Sequence, residues 1–304
     1  MSKHEDGLPT SIRAKLLNHA KKLGLEYNRV LERYALERYL YRLSKSPYAD
    51  RFVLKGALLM LVWLGEAIRP TRDADLLGYG DLDKTALKQI FQEICRIAVE
   101  PDAIEFQPES VKVEDIRKND PYGGRRVTLK SQLGNARIDV QVDVGIGDDI
   151  IPTPVWLNYP SLLDMPAARL RAYQPETSIA EKLHAMVVLG LPNSRMKDFF
   201  DIAALAEREQ FDGEKLASAI KATFERRSTA LPVIPAAFTP EFAANPAKQQ
   251  QWNVFLGTSG LTDRVTLDTR VIIIRGFLGP LLERLTRGQQ FSGSWSPGGP
   301  WKQS

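Results

Sequence analysis

Two carboxylates one residue apart, behind a strand, a glycine turn and an apolar helix, constrain this chain more than any other feature. Residues 51–75 read RFVLKGALLMLVWLGEAIRPTRDAD. The apolar run 52–54 predicts a buried strand, and 58–64 a buried helix. Between them Gly56, after Lys55, removes a side chain from the turn. Backbone N–H groups there can approach a phosphate, and the helix N-terminus adds positive dipole. Beyond the helix, Thr71, Asp73 and Asp75 recur with strand period and so project from one face. Two carboxylates on one face repel unless a cation lies between them. Mg²⁺ takes near-octahedral oxygen ligands and shares them with substrate phosphates, which this arrangement can supply. A lone Asp-x-Asp is a weak signal, but one behind a strand–glycine turn–helix unit is better. The stretch holds the minimum needed to handle a nucleoside triphosphate.

A third carboxylate is expected from a β region over 104–145. Two strands, 126–130 and 136–144, flank Gly134-Asn135, a hairpin signal. In the second, ARIDVQVDV, residues Ile138, Val140, Val142 and Val144 take one side, and Asp139, Gln141 and Asp143 the other. A carboxylate on this strand can complete a three-carboxylate metal site with Asp73 and Asp75. Solvation alone would explain one acidic residue on a polar strand face; two on one face favour function.

Helical periodicity predicts helices over 10–24, 28–44, 84–100, 178–190, 213–227, 247–256 and 267–287, with another starting at Asn193 or Ser194. Residues 146–177 read as loop, with prolines at 152, 154, 160, 166 and 175. Four parts follow. Residues 1–50 form an N-terminal helical segment and 51–160 an α+β core, a mixed sheet flanked by helices. Residues 161–290 form a helical C-terminal lobe, and the Gly/Ser/Pro-rich end, 291–304, a disordered tail. In the lobe, Arg195, Lys197, Asp198 and Asp201 fall within two turns, close to Lys182 on the preceding helix. Surface ion pairs explain such a cluster as readily as a site does.

Composition excludes several classes. The 304 residues carry a net charge of +4, which is compatible with a polyanionic partner. Residues 1–55 alone hold 12 Lys/Arg against 6 Asp/Glu. Arg33, Tyr34, Arg38 and Tyr39 could stack on nucleic acid, although an amphipathic packing helix is the more frequent meaning of such a pattern. The single cysteine, Cys95, allows no internal disulfide and reads as core. The three histidines lack metal-ligand spacing. The first residues are charged and polar, unlike a signal peptide. The apolar run 271–282 is interrupted by Arg275 and Pro280 and is too short to span a bilayer. No membrane association and a reducing, cytoplasmic compartment are the expectation.

These segments together resemble the AbiEii/AbiGii family of nucleotidyltransferase toxins. The resemblance is carried by LYRLSKS with RFVLKGALLM, by RPTRDADLL, by IDVQVDVGIGDDIIPTP, and by YPSLLDMPAARLRAYQPETSIAEKLHAMVVLGLPNSRMKDFFDI. It runs from about Leu36 to about Leu205, specific in order and spacing; residues 213–304 add only general helical similarity. It implies a polymerase-β-like nucleotidyltransferase core with a helical C-terminal lobe. It also implies a two-gene toxin–antitoxin or phage-defence system with a nearby antitoxin as partner. The implied activity is nucleotide transfer from an NTP to RNA, in some cases the tRNA acceptor end, which stops translation. Lys55-Gly56 matches the family's glycine turn, with Ala57 where many related transferases have serine or glycine. Thr71 and Asp73 match a hydroxyl-x-carboxylate pair. Asp75 matches the second metal carboxylate, and Asp143 the third in preference to Asp139. Lys182 matches the lysine of the helical motif, and Asp198 the aspartate of the Lys-Asp pair after it. The implied catalytic set is Asp73, Asp75, Asp143, Lys182 and Asp198. The metal, Mg²⁺ or alternatively Mn²⁺, falls to Asp73, Asp75 and Asp143. The nucleotide falls to Lys55, Gly56, Ala57, Thr71, Lys182 and Arg195. Two other readings keep the fold: transfer to a hydroxyl of a protein, such as the antitoxin, or of a small molecule, and a non-catalytic NTP-binding module.

Overall fold

The computed structural model describes residues 7–65, 71, 73–116, 124–147, 150–259, 261 and 265–302. Asp148, which follows Gly145-Ile-Gly147 in the sequence, and residues 121–123, where Pro-Tyr-Gly reads as a turn, lie outside them. The chain packs as two compact units. The first comprises Met1–Val62, Thr71–Asp148 and Val155–Ala172; the second comprises Trp63–Pro70, Asp149–Pro154 and Tyr173–Ser304. The first unit therefore takes in the N-terminal segment and extends beyond the expected boundary near Pro160.

Unit one is built on a seven-stranded mixed sheet of order β3-β4-β5-β2-β1-β7-β6. The strands are β1 Phe52–Lys55, β2 Asp73–Gly78, β3 Ile104–Asp115, β4 Gly124–Leu133, β5 Ala136–Ile146, β6 Val155–Tyr159 and β7 Ala168–Ala172. β2 runs antiparallel to β1 and parallel to β5. The alternation of β5 sorts as expected: Ile138, Val140, Val142 and Val144 are buried, while on the other side Asp139 is exposed and Gln141 and Asp143 are half-buried. Helix α2 (Tyr27–Lys45) packs on β5 and β7, α4 (Lys84–Cys95) packs on β3, and α1 (Gly7–Leu23) packs on α2. α1 buries Ile12, Leu16 and Ala20, a four-residue spacing that draws one apolar stripe down the helix. Burial pushes the Cys95 thiol up to about 12, so this cysteine is core and not nucleophile.

The two meanings left open for α2 are decided here, and one expectation is corrected. Tyr34, Arg38 and Tyr39 do not face solvent; their relative exposures are 0%, 1% and 0%. Arg38 and Arg42 both bind the buried Asp102, at 2.9 and 2.7 Å, while Tyr34 Oη donates to the Asp102 carbonyl at 2.7 Å. Burial pushes the Asp102 carboxyl upward, but the two guanidiniums override it and hold it below the ordinary carboxylate range. The packing meaning of these residues wins because each polar tip finds an internal partner. Residues 146–177 are not all loop, since they contain β6 and β7. The prolines at 152, 154, 160 and 166 flank these strands and do not interrupt them, where a missing N–H costs no ladder bond.

Unit two is mainly helical: α5 Pro175–Leu189, α6 Met196–Arg208, α7 Gly213–Arg226, α8 Pro240–Ala244, α9 Pro246–Ser259 and α10 Leu267–Thr286. The expected disordered tail is ordered over 291–302. β9 (Ser294–Trp295) pairs with β8 (Phe211–Asp212) and with β10 (Trp301–Lys302). Trp295 Nε1 donates to the Ala206 carbonyl and Trp301 Nε1 to that of Phe277, each at 2.7 Å. Two large aromatics with satisfied N–H groups outweigh the flexibility of the Gly, Ser and Pro around them.

His184 gives unit two a pH dependence. Its Nδ1 accepts from Arg227 at 3.0 Å, and its Nε2 meets Thr229 Oγ1 at 2.9 Å. Burial, and then Arg227, push its pKa down to about 4. An unfolded histidine titrates near 6.5. Between those values the unfolded chain holds a proton that the folded one does not, so stability falls as pH drops through the window. Melting temperature measured from pH 7 to pH 4 should therefore fall less steeply for His184→Gln than for the unaltered chain.

Candidate functional site

The register of the sheet assembles one row of charge. Lys55 pairs with Asp75, Asp75 with Asp143, and Asp143 with Arg126, across β1, β2, β5 and β4. Directly opposed residues share a face, so the row runs cation, carboxylate, carboxylate, cation. Asp73 stands two residues from Asp75 on the same face, opposite Gln141. Thr71 Oγ1 donates to Asp73 Oδ1 at 3.0 Å, so the hydroxyl orients the first carboxylate of the pair.

Gly56 has a more specific duty than leaving backbone N–H groups open. Its φ is +73°, in the left-handed region, and a Cβ there would lie 2.0 Å from Asp75 Oδ2. The carboxylate of Asp75 thus fills the space a side chain would take. α3 (Leu58–Leu64) follows, with Leu59 N–H bonded to the Gly56 carbonyl and Met60 N–H to that of Ala57. It has seven residues, so the case for a phosphate contact rests on Lys55 and the turn backbone. Gly145 plays a matching part on β5. The Lys55 ammonium lies 3.5 Å from where a Gly145 Cβ would stand, so a methyl there would touch it without clash and a longer side chain would compete for its space.

Asp143 is the register partner of Asp75, whereas Asp139 is four residues away along β5, about 13 Å at strand rise. The geometry therefore favours Asp143 over Asp139. Yet both Asp143 oxygens are engaged: Arg126 Nε donates to Oδ1 at 2.9 Å and Nη2 to Oδ2 at 2.8 Å. The Asp143 bonds hold Arg126 above its ordinary pKa, and Asp73 and Asp75 add to this. Among the described residues no group of three or more His, Cys, Asp or Glu could hold a metal ion. The three-carboxylate metal set is therefore not assembled here. The residues whose oxygens could hold a hard divalent cation are Asp73 and Asp75. Arg126 was missed in the sequence, although a two-residue hairpin at Gly134-Asn135 fixes the pairing by count: Leu133 meets Ala136, so Arg126 meets Asp143.

On unit two, α5 and α6 bring the second set together. Lys182 Nζ bonds Asp198 Oδ1 at 3.1 Å and Asp201 Oδ2 at 2.7 Å, and Arg195 Nε bonds the other Asp198 oxygen. Both aspartate side chains have 0% exposure, whereas that of Arg195 is 42% exposed. Asp198 thus orients Lys182 and Arg195 from behind and does not reach solvent. Burial pushes its carboxyl up, but Lys182 and Arg195 reverse this and hold it below the usual range. Asn193 Oδ1 accepts the Arg195 N–H at 2.8 Å, so it shapes the approach to α6, whose N-cap is Arg195.

A mixed sheet that presents an Asp-x-Asp strand beside a glycine turn, with a third carboxylate in register, is the frame of a nucleotidyltransferase. The chain belongs to the family described as nucleotidyl transferase AbiEii toxin, type IV toxin–antitoxin system, whose model matches residues 38–269. The fold is similar to that of MenT4, a nucleotidyltransferase toxin from Mycobacterium tuberculosis H37Rv. That match has a TM-score of 0.58 and 18% identity over 89% of each chain. A second solved structure, JHP933 from Helicobacter pylori, matches with a TM-score of 0.46 at 16% identity, over 90% of this chain and 94% of that one. The comparison with curated proteins gave no match. Among the described residues no helix is long and apolar enough to cross a membrane.

Proposed function

We propose that this toxin transfers a nucleotide from an NTP to RNA with the help of Mg²⁺, and that its acceptor is the 3′ end of tRNA. Such transfer would block translation in the cytoplasm until a cognate antitoxin intervenes. The observation that supports it best is the Lys55–Asp75–Asp143–Arg126 row with Asp73 beside it. A bound Mg²⁺ would neutralise triphosphate charge and polarise the α-phosphate. Asp73 and Asp75 are the residues to hold it, with Thr71 fixing the Asp73 rotamer. Lys55 lies on the same face as these carboxylates and provides a cation for phosphate oxygens. Asp143 accepts from Arg126 and would draw the proton from the acceptor hydroxyl once that guanidinium turns to a phosphate. The hydroxyl oxygen bonds the α-phosphorus, the α–β bridging bond breaks, and pyrophosphate leaves. The family resemblance gives Lys182 and Arg195 the task of neutralising phosphate charge. Their orientation by the buried Asp198 supports that task.

The test compares α- and γ-labelled triphosphates incubated with purified protein, Mg²⁺ and total RNA, with the antitoxin added only in a parallel reaction that looks for label on protein. Label from the α position in RNA, and none from the γ position, is the expected outcome. Label only on protein, or none on any RNA, contradicts the proposal.

A further inference from the structure

We propose that the open face of β6 and β7 is a platform for single-stranded RNA, a proposal that deepens the RNA-transfer reading and rests on it for its biological role. Of the residues first considered for stacking on nucleic acid, Tyr34, Arg38 and Tyr39 are buried in α2, so an RNA surface built on exposed aromatics lies elsewhere. β6 is the edge strand of the sheet, and its Trp156 is 46% exposed. A large aromatic left open on an edge strand invites association unless it is used.

The surroundings of Trp156 are basic. Trp156 pairs with Arg171 across the β6–β7 ladder, and the Arg169 guanidinium lies 5.5 Å from the Trp156 ring centre. Among the described residues Arg169 has no carboxylate partner. The Arg171 guanidinium lies 5.8 Å from the ring of Tyr79 and donates to the Asp50 carbonyl at 3.0 Å, which fixes it at the border of the patch. Lys45, at the end of α2, and Arg169 line a shallow pocket of about 340 Å³ with Ser44, Trp156 and Ala167. A half-exposed indole with guanidinium and ammonium groups around it matches an unstacked base with its flanking phosphates. A protein partner is the poorer fit. On this face Trp156 is the exposed large apolar side chain of β6, whereas Lys45 and Arg169 bring two cations to the same pocket.

The experiment measures affinity for a fluorescent single-stranded oligoribonucleotide, together with kcat and KM for RNA and for NTP. The proteins are the full chain and the Trp156→Ala, Trp156→Phe and Arg169→Ala variants. These side chains are exposed, and an unchanged melting temperature will confirm the fold. Trp156→Ala should weaken RNA binding roughly ten-fold, with Trp156→Phe restoring most of it. Arg169→Ala should reduce the slope of log affinity against log salt by about one. KM for RNA should rise in parallel, while KM for NTP and kcat at saturating RNA stay put. Unaltered RNA affinity in the Ala variants, or no RNA binding by the full chain, overturns the platform. So does loss of antitoxin binding with RNA affinity intact, which would make the patch a protein interface. RNA binding that depends on Trp156, in a chain that labels no RNA, would uphold the platform and refute the transfer reading.

Discussion

Gly56→Ala is expected to abolish nucleotide transfer as fully as Asp75→Asn does. The new methyl would sit 2.0 Å from Asp75 Oδ2 and 2.6 Å from Cγ. Neither atom can stay, because Asp75 is fixed by pairing to both Lys55 and Asp143. The carboxylate must swing away, and a catalytic group displaced by about 1 Å commonly costs on the order of 10²-fold in rate. Removing the charge itself, in Asp75→Asn, should cost roughly 10²- to 10³-fold. The backbone adds a smaller penalty, about 1–2 kcal/mol for a Cβ in the left-handed region. The fold should survive this, so circular dichroism should look native while single-turnover transfer is lost. The two changes act on one atom, so the double variant should be no slower than the worse single one. Independent, multiplying losses would show that Gly56 serves something other than the Asp75 carboxylate.

Lys182→Met is expected to destabilise unit two by about 3–5 kcal/mol, the usual cost of removing one partner from a buried ionic cluster. Lys182 is the cation shared by Asp198 and Asp201, both with 0% exposure, and a methionine has the length but no charge. Urea denaturation should show the loss as a lower midpoint with little change in slope. The sign of the pH dependence follows from Asp198. Its folded pKa is depressed, so its stabilising contribution is present above the unfolded value near 3.9. That contribution is lost as pH falls from there through the folded pKa. In Lys182→Met the burial of Asp198 is less opposed, and acid unfolding should begin at higher pH. A fall in transfer by this variant must therefore be compared with its stability, which distinguishes a phosphate-neutralising role from a structural one.

Much of the fold was legible because the periodicities were clean. The alternation ARIDVQVDV sorted itself on β5, and the Asp-x-Asp strand formed where its period placed it. The β4–β5 register could be counted from Gly134-Asn135, whereas the β2–β5 pairing that sets Asp75 opposite Asp143 has no local signal. What stayed hidden depends on long-range pairing. No local pattern tells that β1 lies between β2 and β7, or that Gly56 is shaped by a carboxylate nineteen residues on. The pairing of Arg126 could have been counted from the hairpin; its effect, to occupy both oxygens of the presumed third ligand, could not. The arginine- and tyrosine-rich α2 left two meanings open, because Asp102, which binds Arg38 and Arg42 and decides for packing, lies remote in sequence. The tail misled because two tryptophans determine its order and its small residues do not.

The most direct test is anomalous diffraction from crystals soaked with Mn²⁺ and a non-hydrolysable triphosphate. A metal peak on the Asp73 and Asp75 oxygens is expected, with the triphosphate beside Lys55 and the Gly56 turn. A peak held by Asp139, or metal and triphosphate bound away from β2, would contradict the assignment.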